Sequence, residues 1–483
     1  MAKQSMNDYV RKETIFGLVP VKKSERTYNF WDTLLVTSGF AIATWCYSQG
    51  ALSAGYLDFW QLLIVTFAMG GVFLIIECLP VIFAVRYGVD LWVYLKAVLG
   101  KNGVKIFATA VILGNWFWYA VAANMFGSSI AQICAGFGII IPTEWVNVIS
   151  VLSVVGGMLI AIAGPSAIKW TSRILVTLLV AIGVIVFFMC FGIAPLDQIV
   201  AYKPDLSSVG GNRMEAYAMA AEGMVAFSFS WSTQAIVLPR LSHTERGGYW
   251  GTFAGYAIVA PFFVFIGGVM AVVMFITTGE YVSDPTVMLA TLGPQIALLS
   301  LMLVAFANVG TQAVGGYVND MVLKAAWPKV DYKILVLLSG IYVAILTFSG
   351  EVTANFGQFI SIAAYIQGPI IGIIFVDYIV LRRRKFSVKS LFETQKTKGS
   401  GHTAYDFPGG FNWIGISCIL ITLVIALLFV YNPIFGTVQS SIFYYTTGSG
   451  FTAIVGGLLY YLASKVPALR AIMLRDRDDL EIV

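Results

Sequence analysis

The chain has 483 residues, of which 58% are hydrophobic and only 11% charged. Soluble domains carry roughly a quarter charged residues, so this balance excludes an ordinary globular protein and indicates a polytopic protein surrounded by membrane lipid. The formal net charge of +5 then reads as the cytosolic face of a membrane protein and calls for no nucleic acid.

Residues 1–29 are polar and basic (Lys3, Arg11, Lys12, Lys22, Lys23, Arg26), with no short apolar run leading to a small-residue cleavage site, so a retained cytosolic segment is expected. Windows of about 19 residues then pick out twelve apolar spans: 30–53, 59–85, 106–134, 146–165, 171–194, 216–239, 250–277, 295–322, 334–350, 354–381, 411–431 and 440–463. Starting inside, only Lys203 and Arg213 of the thirty Lys and Arg residues fall in external loops. A bias that large supports the even count, puts both termini in the cytosol and suggests the plasma membrane.

The expected fold is all-α with twelve transmembrane helices. Spans one to five (30–194) and six to ten (216–381) form halves joined by an external loop (195–215). A basic cytosolic loop (382–410), spans eleven and twelve (411–463) and a cytosolic tail (464–483) follow. An odd number of spans per half turns the halves opposite ways, the arrangement of an inverted repeat.

The first span of each half is interrupted in character. Span one carries Thr37, Ser38, Gly39 and Thr44 at mid-depth; span six carries "FSFSWSTQAIVLPR" (227–240), with Ser228, Ser230, Ser232, Thr233 and Gln234 around Trp231. Lipid offers these groups no hydrogen bonds, so each needs a protein partner, a ligand or a wet cavity. Small polar residues also serve close helix packing, but the symmetric pair favours a binding site at broken helices. Trp118 and Trp231 lie deep, whereas Trp45, Trp60, Trp92, Trp145, Trp250 and Trp413 fit interfacial belts.

Glu77 in span two and Glu222 in span six are ionisable residues within spans, and Glu222 is a candidate proton site. Asp32, Asp320 and Asp377 near span ends read as anchors or gate partners. Cys46, Cys78, Cys134, Cys190 and Cys418 are scattered packing residues, and His243 and His402 lack metal-ligand spacing, so no metal and no cofactor are expected. No Walker motif is present.

Four stretches together resemble the nucleobase:cation symporter-1 family of cytosine, purine, uracil, allantoin and hydantoin permeases. "SWSTQAIVLPRL" (230–241) is similar to the family's sixth span, with Trp231 followed nine residues later by Arg240. "NWFWYAVAANMFG" (115–127) is similar to its third span, with the key ring at Trp118, and "GPIIGIIFVDYIVLRRRKF" (368–386) to the end of its tenth. "PVKKSERTYNFWD" (20–32) resembles its entry to span one. The resemblance implies a leucine-transporter-like five-plus-five core with two C-terminal helices. It also implies a monomeric symporter importing a planar heterocycle with Na⁺ or H⁺.

On the same basis the substrate would be clamped between Trp118 and Trp231, with edge contacts from Gln234, Ser230, Ser232 and the position of Ala122, where the family often has Gln or Gly. The sodium ligands would be Ser38 and Ala41 in span one and Asn308, Thr311 and Gln312 in span eight. Gln312 replaces a hydroxyl found in sodium-coupled relatives, and Val237 replaces a common acid, which leaves proton coupling open. An amino-acid, amine or vitamin transporter on this fold is the alternative. A membrane enzyme is disfavoured by the lack of a clustered nucleophile, metal set or acid pair.

Overall fold

The computed structural model describes residues 20–291, 294–350, 352, 355–392 and 404–475. His402 and the rest of residues 393–403 in the basic loop after span ten lie outside them, as do the first 19 and last eight residues. Nine helices among the described residues are long and apolar enough to cross a membrane, and they coincide with predicted spans two to five and seven to eleven. The chain is an all-α polytopic membrane protein. Among the described residues it also holds a two-stranded hairpin, Tyr431–Asn432 with Thr437–Val438, which hydropathy did not signal.

Spans one and six fall outside those nine because both are broken. Span one starts at Asn29, whose side chain accepts the Asp32 amide at 2.8 Å while the Asp32 carboxylate accepts the Asn29 amide at 3.2 Å. Helix Phe30–Ala41 then ends, because Ile42 (φ −93°, ψ 118°) and Ala43 (φ −152°, ψ −173°) are extended, and Thr44–Ala54 continues the span. Neither Gly nor Pro stands at this break, and both halves of the span pack closely on span seven. A Cβ on Gly50 would sit 1.8 Å from the Val264 carbonyl oxygen, and one on Gly255 would sit 2.4 Å from the Thr37 hydroxyl. Span seven therefore grips both halves of span one through backbone-close contacts. The π-helical turn Gly255–Val259 re-phases its contact face between them.

Span six is regular only over Arg213–Phe229. Residues 230–238 form successive turns and Pro239–Leu241 a short 3₁₀ helix, so span six is interrupted within the stretch 227–240, from Ser230 onward. The Ser230 and Ser232 hydroxyls, donating to the Phe227 and Phe229 carbonyls at 2.9 and 3.0 Å, offer the backbone an alternative to the helical ladder.

Span two is stepped: Phe59–Val72, Leu74–Glu77 and Leu79–Tyr87 follow one another across Phe73 and Cys78. Pro80 has no amide to continue the ladder, which accounts for the second step. Span three is preceded by a helical turn from Lys96 that breaks at Gly100 (φ 79°, ψ 167°), and the continuous helix runs from there to Gly136, with the turn before it covered by the start of span eleven. There Asn412 donates to the Ala97 and Leu99 carbonyls at 3.0 and 2.9 Å. Spans ten and twelve meet through glycine: a Cβ on Gly372 would lie 1.9 Å from the Ala453 carbonyl oxygen. Helix Gly448–Ala463 of span twelve has 16 residues, and after it the chain bends by 110° into Pro467–Met473.

Candidate functional site

The two indoles singled out by the sequence converge on one side chain. Trp118 is buried among Trp45, Phe356 and Phe359, with ring centroids at 5.1, 5.3 and 5.4 Å. Trp231 rests on Tyr256 at 4.3 Å and touches Phe40 at 6.1 Å. Phe227 stands edge-on to both, 5.5 Å from Trp118 and 6.3 Å from Trp231, with interplanar angles of 90° and 88°. An apolar ring is thus wedged against the pair expected to hold a substrate.

Trp45 departs from its expected place in an interfacial belt. Its indole N–H donates to the Ala41 carbonyl at 2.9 Å, so the break in span one draws it inward. Trp92 is also fully buried, under the span-two and span-three corner. Trp60, Trp145, Trp250 and Trp413 are exposed along the outside, as belt residues should be.

The polar groups of the span-six break divide into satisfied and unsatisfied. Gln367 of span ten reaches into the break: its Oε1 accepts from the Thr233 amide at 3.1 Å and hydroxyl at 2.7 Å, while its Nε2 donates to the Ser230 carbonyl. Sequence reading missed Gln367; the available signal was a lone carboxamide in an apolar run just before Gly-Pro. Gln234, by contrast, is buried with neither carboxamide atom hydrogen-bonded, and the Trp118 indole nitrogen is likewise unpartnered. Buried polar atoms left so are costly by about 1–3 kcal/mol each, and a ligand can relieve them. Ala122 is fully buried one turn beyond Trp118 and offers no polar group.

The expected sodium ligands are only partly gathered. The Ser38 carbonyl accepts the Ile42 amide at 2.7 Å, and the Ala41 carbonyl is occupied by Trp45 and by the Cys46 thiol at 3.3 Å. Asn308 accepts from the Thr44 hydroxyl at 3.1 Å. Thr311 borders a void of about 10 Å³ with Gly39 and Ile42, room for one water at most. Gln312 turns away to donate to the Tyr119 carbonyl at 2.5 Å on span three, since its Cβ packs against Gly157 of span four.

Glu222 is tied down as well. Its carboxylate accepts the Gly448 and Ser449 amides at 2.9 Å each and the Ser449 hydroxyl at 2.7 Å, capping the start of span twelve. These groups donate to the carboxylate, so in this conformation Glu222 caps the start of span twelve.

The two faces of the bundle differ. On the face bearing the loop 195–215, a cavity of about 340 Å³ runs between Gln49, Tyr56, Glu215, Glu222 and Ser361. A second, of about 180 Å³, ends on Phe356, the ring that packs against Trp118. The basic face is closed: Asp32 pairs with Lys169 at 2.8 Å and Arg173 at 2.5 Å, and Asp377 with Arg382 at 2.7 Å. Thr33 and Ser242 share a hydrogen bond of 2.7 Å across the feet of spans one and six. Asp90, in the loop after span two, lies 3.6 Å from Arg240; burial pushes its carboxyl above the usual range against the pull of that guanidinium. Asp320 has a hydroxyl instead of a base, Ser339 at 2.6 Å.

The model of a family described as permeases for cytosine/purines, uracil, thiamine and allantoin matches residues 20–452. The chain belongs to that family. It is similar to the hydantoin permease of Microbacterium maritypicum, 21% identical over 428 residues, covering 85% of this chain and 83% of that one. Among solved structures it resembles Mhp1, a nucleobase-cation-symport-1 family transporter closed around bromovinylhydantoin, with a TM-score of 0.70 at 18% identity over 94% of this chain and 95% of that one. A Na⁺-coupled sialic acid symporter shares the fold at a TM-score of 0.60 and 14% identity, over 95% of this chain and 97% of that one. As a member of that permease family the chain is a membrane transporter, and it shares the fold of these transporters.

Proposed function

We propose that the protein imports a planar N-heterocycle of purine, cytosine, uracil, allantoin or hydantoin type by alternating access. Twelve spans would form a five-plus-five inverted repeat followed by two further helices, with both termini cytosolic. The observation that carries this reading is the span-six break. Two deep indoles flank Phe227 there, and the neighbouring Gln234 carboxamide has no protein partner.

The chemistry suits the substrate class. Stacking on an aromatic face contributes roughly 1–3 kcal/mol per base, and a heterocycle entering between Trp118 and Trp231 replaces the edge contacts of Phe227 with face contacts. A carboxamide both donates and accepts, so Gln234 can read the mixed edge of a ring amide. The Ser230 and Ser232 oxygens retain lone pairs beside it. The basic face is cytosolic by the charge bias, so the conformation described has its cavities outward and its cytosolic side shut. Asp32 with Lys169 and Arg173 then acts as a cytosolic gate, to be parted when the substrate leaves.

The test is uptake of labelled uracil, cytosine, hypoxanthine, allantoin and hydantoin into proteoliposomes, with amino acids and thiamine as competitors. At least one planar heterocycle is expected to accumulate and to be blocked by its congeners. Accumulation of an amino acid alone would overturn the substrate assignment.

A further inference from the structure

Glu77 is an intramembrane acid beside the span-six break that the site above does not use. It lies at the step in span two between Leu74–Glu77 and Leu79–Tyr87, buried, facing the end of the regular part of span six. One carboxyl oxygen accepts the Ser228 hydroxyl at 3.1 Å, two residues before the span-six break; the other is buried without a partner. Phe73, at the other step of span two, meets Phe229 at 5.5 Å, so the two irregular regions abut.

No cation compensates this acid among the described residues. Its titratable neighbours are Cys78 on its own span and Tyr256 on span seven, the ring beneath Trp231. Tyr249 of span seven gives its hydroxyl to the Ile75 carbonyl at 3.0 Å. On span six only Ser228 reaches it, and the nearest acid there, Glu222, is committed to span twelve. Where span twelve approaches span two, Gly450 lies against Phe73 and brings no charge. Arg86 further along span two is paired with Glu245 at 2.8 Å. An ionised carboxylate with one oxygen dry and unpaired is expensive in such surroundings, whereas a neutral acid is tolerated.

We propose that Glu77 is a proton-binding site that couples transport to the proton gradient. In the outward conformation the proton sits on the carboxyl oxygen opposite Ser228. Opening of the cytosolic side brings water to the step in span two, the O–H bond breaks, and the proton passes to that water while Glu77 remains as the hydrated anion. Ser228 transmits the change to the span-six break, and Tyr256 links it to the face of Trp231. The coupling half of this proposal rests on the transport reading above; the protonation half does not.

Infrared difference spectra of the purified protein between alkaline and acid buffers test the protonation half without any substrate. The carbonyl stretch of a protonated carboxylic acid is expected in the wild type, and the part of it due to Glu77 is expected to vanish in Glu77→Gln. Ser228→Ala removes a hydrogen bond that favours the anion, so its midpoint should move upward by about one to two pH units. For the coupling half, labelled heterocycle found by the uptake panel is driven by an inward proton gradient without Na⁺. Glu77→Gln, fixed in the neutral form, should lose about tenfold or more of that accumulation while retaining substrate counterflow, which needs no net proton movement. Identical spectra for wild type and Glu77→Gln, with no midpoint shift in Ser228→Ala, would overturn the site. Full proton-driven accumulation by Glu77→Gln would overturn its coupling role.

Discussion

The breaks in spans one and six occupy matching places in the two halves but solve different problems. The span-one break is two residues long and closes on itself: Trp45, three residues past Ile42, returns its indole N–H to the Ala41 carbonyl. The span-six break runs over 230–238 and is held from outside by Gln367 of span ten, while Gln234 within it stays unpartnered. A break that satisfies its own backbone is a joint. A break held by a neighbour, with an idle carboxamide, is a recognition element.

The largest expected effect follows from removing that outside support. Gln367→Leu strips hydrogen bonds from Ser230 and Thr233 in a dry site, about 3 kcal/mol or more in all, and should abolish uptake and lower the melting temperature. Near wild-type uptake by Gln367→Leu would mean the break supports itself, as in span one. Next come the rings: Trp118→Ala and Trp231→Ala should each weaken heterocycle binding by about tenfold or more, with Phe restoring part of it. Titration of purified protein by calorimetry reads this directly, and unchanged affinity in both would remove them from the site.

A smaller and more selective effect is expected for Gln234→Leu. Its amide makes no protein hydrogen bond, so folding stability should hold within about 1 kcal/mol, while affinity falls and preference among uracil, cytosine and hydantoin shifts. A stability loss without a change in preference would class Gln234 with the packing residues. The smallest effect belongs to Thr311→Ala at the span-one joint, where uptake against Na⁺ concentration at fixed pH should change by less than about twofold. A marked loss of Na⁺ response would restore the span-one break as an ion site, with the proton on Glu77 no longer the main driver.

Both breaks were legible because hydroxyls and amides at mid-depth in lipid are anomalies that demand partners, and Trp118 and Trp231 stood out for depth and by resemblance. The cause and extent of each break were not legible. Hydropathy averages over the window, so it set 230–238 inside the span 216–239 without marking where the break starts or stops. Nothing in Ile42-Ala43 announces extended backbone; its partner surface at Gly255 of span seven lies two hundred residues away in sequence. Trp45 read as a belt residue despite standing next to mid-depth Thr44, because the Ala41 carbonyl that holds it inward is invisible in the sequence. The resemblance implied Gln312 as an ion ligand, but its direction depends on Gly157, whose missing side chain makes room for it. Glu222 and Glu77 looked alike in sequence as single acids in apolar helices. The start of span twelve, packed on one and absent from the other, separates a cap from a proton site.

The central claim, that the span-six break lines the substrate path, is tested most directly by thiol accessibility. With Cys46, Cys78, Cys134, Cys190 and Cys418 replaced, single substitutions Ser230→Cys, Ser232→Cys and Gln234→Cys are exposed to a membrane-impermeant thiol reagent on either side of transport-competent vesicles. At least one position, Gln234→Cys foremost, should label from one side and be shielded by the transported heterocycle. Absence of labelling at all three from both sides would mean that these groups pack against neighbouring helices and that the substrate passes elsewhere.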